Sequence, residues 1–558
     1  MNMILLLTMP FWTPLIPPLG IACIKSYLQK YGYEVLTVDA NVEDVFQEIY
    51  GRYFRYLMTL IPETNRGNFY NVGHDVLRNH MMAHIHKEDE KKYISLVKSL
   101  VYNNYFYEID TNQTLALIEL IEVFYMRLET YICDLLTSRE PSVLGLSVNS
   151  GSLPASLFTF RLAKEKYPAI KTVIGGGVFA DQLALGSPNL KYFIDKTPYL
   201  DKIFMGEGEK LFLNFLQGKL QPDRKVYTLK HINGELVDLN TTGLPDFSDF
   251  KLERYPNLPA YSSRSCPYQC KFCAETVNWG EYRKKNPVQV VDELQELSRK
   301  YEVRMFLMSD SLLNPMISDL AQGLIDSGSS LYWEGYLRAD PPVCNLDNAL
   351  LWRYGGFYRA SLGIESGSQR LLELMGKRIS PSQVKQAVSS LGNAGIKTTS
   401  YWVAGYPGET ENDFQQTLTL IEEISEDIYE AECNTFNYYL TGQVNSGNWQ
   451  YNSKLLYPEW AADMLVTQTW VLDCEPGREE TYKRLFRFVD HCKKIGIPNP
   501  YSIMEIQQAD KRWKIMQKNA VPSLLEVNTR GNIQDERKKT MKINTAQKVK
   551  FDKGDFTF

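Results

Sequence analysis

The chain reads as an α/β protein built on two successive parallel sheets. Three observations predict this. Short β-rich runs alternate with amphipathic helical patterns through the first 220 residues and again from about residue 256. Glycine-rich turns follow several of these runs, as in Gly175-Gly176-Gly177 and Gly206-Glu207-Gly208-Glu209. Three of the nine cysteines crowd into Cys266-Pro-Tyr-Gln-Cys270-Lys-Phe-Cys273, where the second series begins.

In the first series, Met3–Leu7 is a short apolar strand. Pro17-Pro18-Leu19-Gly20 leads into an amphipathic helix, Ile21 to Tyr31, that Gly32 ends, and Glu34–Asp39 is the second strand. Val143–Val148, Thr172–Ile174 and Lys202–Met205 continue the series. Strands and helices of this size predict a Rossmann-like, doubly wound sheet with its ligand crevice at the strand C-termini. Consecutive glycines after a strand let a ligand approach the backbone, although no G-x-G-x-x-G fingerprint follows the first strand.

Residues 42–140 interrupt this sheet as a helical insertion, with its best apolar spacing at Ile118–Leu136. It holds His74, His80, His84 and His86. His80 and His84 share a helix face at i, i+4, the spacing of two metal ligands, but no third ligand is evident. A solvated or partly packed histidine face is the expectation. Residues 221–255 read as a linker punctuated by Pro222, Gly234, Gly243 and Pro245.

The cysteine cluster begins the second series, residues 256–430. Structural zinc wants two C-x2-C-like pairs, and no second pair exists; the other six cysteines stand alone. A ferredoxin-type cluster would bring a fourth cysteine at fixed spacing. Three thiolates on one loop can hold three irons of a [4Fe–4S] cube and leave the fourth open to a small molecule. Downstream come Met305-Phe-Leu-Met-Ser309-Asp310, Tyr332-Trp-Glu-Gly-Tyr-Leu-Arg338, Ser361-Leu-Gly-Ile-Glu365-Ser366-Gly-Ser368 and Tyr401-Trp-Val-Ala-Gly405-Tyr-Pro407-Gly408-Glu409. Each is a β-rich run with polar residues at its C-terminal end, where β/α barrels place reactive groups.

The cysteine spacing, with Phe272 before the last cysteine, resembles the radical S-adenosylmethionine (SAM) superfamily, as do the ordered segments after it. The resemblance implies that Cys266, Cys270 and Cys273 carry the cluster and that SAM chelates the open iron. It places Phe272 against SAM, Ser309 and Asp310 near the SAM amino group, Arg338 at its carboxylate, Glu365, Ser366 and Ser368 by the ribose, and Gly405, Pro407, Gly408 and Glu409 by the adenine. No catalytic residue beyond the cluster ligands is implied. Salt bridging of Arg338 with Glu365, and ordinary turns at the glycines, are the plain alternatives.

Set before such a domain, residues 1–220 resemble the cobalamin (B12)-binding domain of the B12-dependent radical SAM group. The segments that carry this are "PPLGIACIKSYLQKYGYEVLTVDAN", "VLGLSVNSGS", "VIGGGVFAD" and "IFMGEGE". The implied cobalamin contacts are Pro17, Pro18, Leu19, Gly20, Ser147, Asn149, Ser150, Gly175, Gly176, Gly177, Gly206, Glu207, Gly208 and Glu209. The D-x-H-x-x-G motif that puts histidine on cobalt elsewhere is absent, as in many members of the group.

The resemblance implies a cobalamin-dependent enzyme that makes a 5′-deoxyadenosyl radical and C-methylates an unactivated carbon of a natural-product precursor. Radical cyclisation or ring rearrangement, a domain that has lost cobalamin, and a non-catalytic Fe–S protein are the alternatives. The expected partners are a small, peptide-bound or carrier-bound substrate and an external electron donor such as flavodoxin or ferredoxin.

Residues 431–518 are aromatic-rich and expected to be a mainly helical substrate-side region, and 519–558 a polar tail. A net charge of −5 shows no nucleic-acid footprint. Pro10, Pro14, Pro17 and Pro18 break the apolar N-terminus, so a strand is expected there and not a signal peptide. No apolar run reaches transmembrane length, and a cytoplasmic location is expected.

Overall fold

The computed structural model describes residues 3–11, 14–500 and 503–516; the polar-tail expectation for 519–558 lies outside them. The chain divides into two compact units. The first comprises residues up to Tyr255 together with Phe272–Gly280 and Asn437–Asp473. The second comprises Pro256–Lys271, Glu281–Phe436 and, among the described residues, those from Cys474 to Met516.

The first unit is a six-stranded parallel sheet of order β2-β1-β3-β4-β5-β6. Its strands are β1 (Ile4–Thr8), β2 (Val35–Asp39), β3 (Val143–Ser147), β4 (Lys171–Gly175), β5 (Lys202–Met205) and β6 (Val226–Thr228). Both faces are covered, so β1 reads as an unbroken apolar run. Ile4, Leu5, Leu6 and Leu7 are all buried, each contributing about 1.5–3 kcal/mol. Strand order reverses between β1 and β3, which both pair with neighbours on opposite sides; this is where doubly wound sheets open their ligand crevice.

Strand β6 lies inside the stretch read as a linker. It pairs with β5 through Ile203–Val226 and its neighbours, so residues 221–255 complete the sheet edge and do more than connect. Its three residues are too short a run to signal a strand by periodicity.

The insertion is helical: Asp44–Leu60, Glu63–Arg66, Phe69–Ile85, Glu90–Tyr105 and Thr111–Arg139. The last starts at a capping box, Asp110 with Gln113, ahead of the apolar spacing at Ile118–Leu136. His80 is fully buried, with Nδ1 3.0 Å from the Tyr53 hydroxyl and Nε2 3.0 Å from that of Tyr93. His84 meets the same Tyr93 hydroxyl at 3.1 Å and stacks on Tyr125. These rings are packed core partners, not a solvated face.

The second unit is a six-stranded parallel sheet, order β14-β13-β12-β11-β10-β7, curved as a partial barrel of β/α repeats. Its strands are β7 (Leu258–Ala260), β10 (Met305–Met308), β11 (Tyr332–Arg338), β12 (Phe357–Glu365), β13 (Lys397–Ala404) and β14 (Glu430–Thr435); β8 (Ser263–Arg264) and β9 (Arg283–Lys284) form a small antiparallel ladder beside it. Helices follow the barrel strands, Pro287–Tyr301 and Pro381–Asn393 among them, where the apolar spacing of Val288–Tyr301 and Pro381–Ala394 predicts them.

Residues 431–518 do not form one region. Asn437–Asp473, with the antiparallel pair β15 (Ser453–Leu455) and β16 (Trp470–Leu472), groups with the first unit. The helices Arg478–Lys494 and Ile503–Met516 group with the barrel, where Phe488 packs on Trp402 and Trp513 on Tyr429. Among the described residues no helix is long and apolar enough to cross a membrane.

Candidate functional site

The cysteine loop leaves the C-terminal end of β7. Asp310, just past β10, is buried and accepts hydrogen bonds from the Ser262 N–H (3.0 Å to Oδ2), the Ser262 hydroxyl (2.6 Å to Oδ1) and the Ser263 hydroxyl. Burial pushes its pKa up, against the lowering effect of these bonds. Its carboxylate therefore holds the start of the loop. Ser309, exposed beside it, donates its N–H to the Ala260 carbonyl at 2.7 Å. Farther along, the Lys271 N–H donates to the Met375 carbonyl at 2.9 Å.

All three cysteines are half-buried thiols outside any disulfide. Cys266 and Cys270 belong to the barrel unit and Cys273 to the first. There the Phe272 carbonyl accepts from the Gln443 amide (3.0 Å) and the Cys273 carbonyl from the Val444 N–H (2.9 Å). Among the described residues no three His, Cys, Asp or Glu side chains are grouped to hold a metal ion. A cube takes one thiolate per iron, so three thiolates within eight residues of chain suit it without converging on one centre.

Arg338, at the end of β11, is buried with Nη1 3.9 Å from the Cys270 sulfur. Asp340 holds its Nε at 2.8 Å, and the guanidinium lies 4.0 Å from the centre of the Tyr268 ring. Tyr268 in turn donates to Asp340 at 2.8 Å. The alternative pairing of Arg338 with Glu365 is not what the structure shows.

Glu365 pairs instead with Lys377, at 2.8 Å. It ends β12 at φ 71°, where the register with β13 shifts. Burial works against the Lys377 ammonium, but Glu365 and the Cys270 thiolate outweigh it and its pKa is raised. Two buried cations, Arg338 and Lys377, thus bear on Cys270. Nothing in the sequence signals Lys377, since "MGKR" after a helix carries no pattern of its own.

The remaining barrel positions are tied into the scaffold. The Ser368 hydroxyl caps the helix Gln369–Leu374 and donates to Asp413 (2.6 Å), while the Ser366 hydroxyl lies 3.2 Å from that of Thr417. Glu409 is buried against Arg484 (2.9 Å) and accepts from the Gly405 N–H (2.8 Å). Gly405 has φ 77° and a Cβ there would lie 2.2 Å from Thr481. The Gly408 N–H donates to the Glu475 carbonyl at 2.8 Å, and Pro407 is buried between these turns. Arg484 and Asp413 are partners that only the fold discloses.

In the first unit, the marked residues gather at the C-terminal ends of the strands. Pro17 and Pro18 precede the helix Leu19–Gln29, and a Cβ on Gly20 would lie 3.7 Å from the Ser147 hydroxyl. Asn149 is exposed, its Oδ1 accepting from the Ser152 N–H at 2.9 Å; Ser150 donates to Asp181 at 2.6 Å. Gly175 ends β4. Gly176 has φ 111°, and a Cβ there would sit 2.5 Å from the Val148 backbone; Gly177 faces open space. Gly206 has φ 98°, Glu207 and Glu209 are buried, and Gly208 packs on Ile24. A cavity of about 290 Å³ opens at the ends of β5 and β6, lined by Met205, Gly206, Thr228 and Leu229, and by Asn278 and Gly442 from distant stretches of chain. Gly442 has φ 94°, and a Cβ would meet the Ala180 carbonyl at 2.6 Å.

This is the architecture of a partial β/α barrel with a three-cysteine loop after its first strand, preceded in the chain by a doubly wound parallel sheet. Residues 261–421 match the family model of the radical SAM superfamily. Residues 261–421 are thus a radical SAM domain, and the fold as a whole is that of solved radical SAM enzymes with cobalamin bound. Among curated relatives, the anaerobic magnesium-protoporphyrin IX monomethyl ester cyclase of Rubrivivax gelatinosus is 25% identical over 54% of this chain and 57% of its own. An uncharacterized methyltransferase of Pyrococcus horikoshii is 22% identical over 53% of this chain and 67% of its own. The chain thus spans little more than half of the first relative. Among solved structures, the radical SAM methyltransferase TsrM of Kitasatospora setae, with tryptophan and a SAM analogue bound, superposes with TM-score 0.59 at 12% identity, covering 98% of this chain and 99% of that one. The cobalamin-dependent radical SAM enzyme OxsB superposes with TM-score 0.50 at 15% identity over 77% of this chain and 52% of its own. A radical SAM domain takes a [4Fe–4S] cluster and SAM.

Proposed function

We propose that this protein is a cobalamin-dependent radical SAM enzyme that transfers a methyl group to an unactivated carbon of a natural-product precursor. The observation that carries the reading is the three-cysteine loop at the end of β7, with the buried Arg338 against Cys270. Cys266, Cys270 and Cys273 would hold the cluster. The exposed backbone of Gly176, Gly177 and Gly206, with Gly20 and Asn149, would cradle cobalamin in the crevice at the strand ends.

When bound, the cluster supplies the electron that cleaves SAM and methylcobalamin supplies the methyl group. The protein's own residues orient and shield. Arg338 and Lys377 keep positive charge beside the thiolate loop, and Asp310 holds that loop against the end of β10. No side chain is needed as acid or base. A second reading, radical cyclisation without methyl transfer, is favoured by the cyclase among the relatives.

The test is anaerobic reconstitution with iron, sulfide and hydroxocobalamin, then metal quantitation and assay of SAM cleavage. About four irons and one cobalt per chain, with 5′-deoxyadenosine formation lost in Cys270→Ala, support the reading. Four irons without cobalt would remove methylcobalamin from it, and cleavage that survives Cys270→Ala would remove the cluster chemistry.

A further inference from the structure

The end of the cysteine loop is held from a segment 171 residues downstream. Residues 436–452 form no helix or strand, so their backbone groups find partners elsewhere. Among residues 437–456 Gln443 alone is buried, at 4% exposure. Its Nε2 donates to the Phe272 carbonyl at 3.0 Å and to the Asn437 carbonyl at 2.9 Å, and its Oε1 accepts from the Tyr439 N–H at 3.0 Å. Both amide hydrogens are therefore used. This pattern fixes the orientation of the amide, because the opposite one would set oxygen against two carbonyls and N–H against N–H. It also selects the residue type. Glutamate has the same shape, yet its carboxylate has no donor and would face two carbonyl oxygens.

The neighbours of Gln443 complete the hold. The Val444 N–H donates to the Cys273 carbonyl at 2.9 Å. Gly442, with φ 94°, lies so close to the Ala180 carbonyl that a Cβ would come within 2.6 Å of it, which seats the segment against the turn after β4. From within the loop, the Glu275 N–H donates to the Cys273 sulfur at 3.4 Å. Cys273 is thus fixed at its own carbonyl, at the carbonyl before it and at its sulfur. Groups one step beyond the ligands orient them, and their loss commonly weakens metal binding by about tenfold to a hundredfold.

We propose that Gln443 is a positioning residue for the iron–sulfur cluster, holding Cys273 where its thiolate takes an iron. This rests on the reading of Cys266, Cys270 and Cys273 as cluster ligands, and it adds a residue outside the radical SAM match of residues 261–421. The amide acts on the cluster only through the Phe272–Cys273 backbone.

Full-length wild type, Gln443→Glu, Gln443→Met and Ser446→Ala are reconstituted without oxygen and desalted. Iron release to excess ferrozine is then timed, and electron paramagnetic resonance spectra of the dithionite-reduced cluster are taken with and without SAM. Gln443→Glu is expected to release iron about tenfold faster or more, with a changed spectrum. Gln443→Met removes both donors without adding charge, and carries the same test should the glutamate chain fail to fold; about threefold to tenfold is expected there. Ser446→Ala is the control. It removes the bonds that the Ser446 hydroxyl makes to the Gln443 N–H (2.8 Å) and the Tyr439 carbonyl (3.4 Å), and touches neither Phe272 nor Cys273. Its release is expected to stay within about twofold of wild type, with an unchanged spectrum. Release within about twofold of wild type in both Gln443 variants overturns the positioning role and leaves the cluster reading standing, as does equal acceleration in Ser446→Ala. A wild-type chain that takes up no iron overturns the cluster reading and the role together.

Discussion

Arg338 reaches the Cys270 sulfur with one end of its guanidinium, at 3.9 Å, while Asp340 holds the Nε side at 2.8 Å. The carboxylate fixes the fork so that positive charge points at the thiolate. A lysine cannot reproduce two directed contacts from one head. Arg338→Lys is therefore expected to lower SAM cleavage by about tenfold to a hundredfold with most iron retained. Asp340→Asn, which keeps the arginine, is expected to cost less. Parallel iron quantitation and 5′-deoxyadenosine assay check both.

The Lys377–Glu365 pair is buried, so removing one partner strands the other. Lys377→Met is expected to destabilise the barrel by about 3–5 kcal/mol, because the Glu365 carboxylate loses its counter-charge. Lys377→Met with Glu365→Gln should recover part of this. Thermal melts of the three chains, made without cluster to isolate the fold, give the comparison.

Gly176 and Gly177 are adjacent and predict opposite outcomes. A Cβ on Gly176 meets Val148 backbone at 2.5 Å and the residue has φ 111°. Gly176→Ala is expected to lower the melting temperature by several degrees and abolish cobalt retention. Gly177 has open space, so Gly177→Ala should fold as wild type, and weaken cobalamin retention if the ligand's atoms approach that backbone. Cobalt content after desalting distinguishes them.

Asp39 supplies a pH dependence. Burial raises its pKa from 3.8 to about 6, against hydrogen bonds from Tyr255 and Asn41. Between those values the folded chain holds a proton that the unfolded chain has released. Stability from this group is therefore fully present below about pH 4 and is lost as pH rises to about 6, by up to about 3 kcal/mol. Asp39→Asn removes the titration. Melting curves of both chains from pH 4 to 7 should converge at low pH and separate as pH rises, the variant falling less.

The strand-end placement of the candidate site residues was legible because strand ends announce themselves locally. Ser309 and Asp310 follow β10, Arg338 ends β11, Glu365 ends β12 and Gly405 follows β13, each where an apolar run turns polar. The glycines after β4 and β5 were legible for the same reason. What these residues hold was not. Asp310 binds Ser262 and Ser263, Glu409 binds Arg484, and Ser368 binds Asp413, each across more than forty residues of chain.

The sequence by itself determined the two parallel sheets, the cysteine loop and the strand-end positions, because periodicity, spacing and turn chemistry act over a few neighbouring residues. Only the tertiary structure decided that β6 completes the first sheet, that Asn437–Asp473 joins the first unit, and that Lys377 pairs with Glu365. Those outcomes depend on which distant surfaces and charges pack together, and burial and ion pairing are set by that packing, not by local pattern.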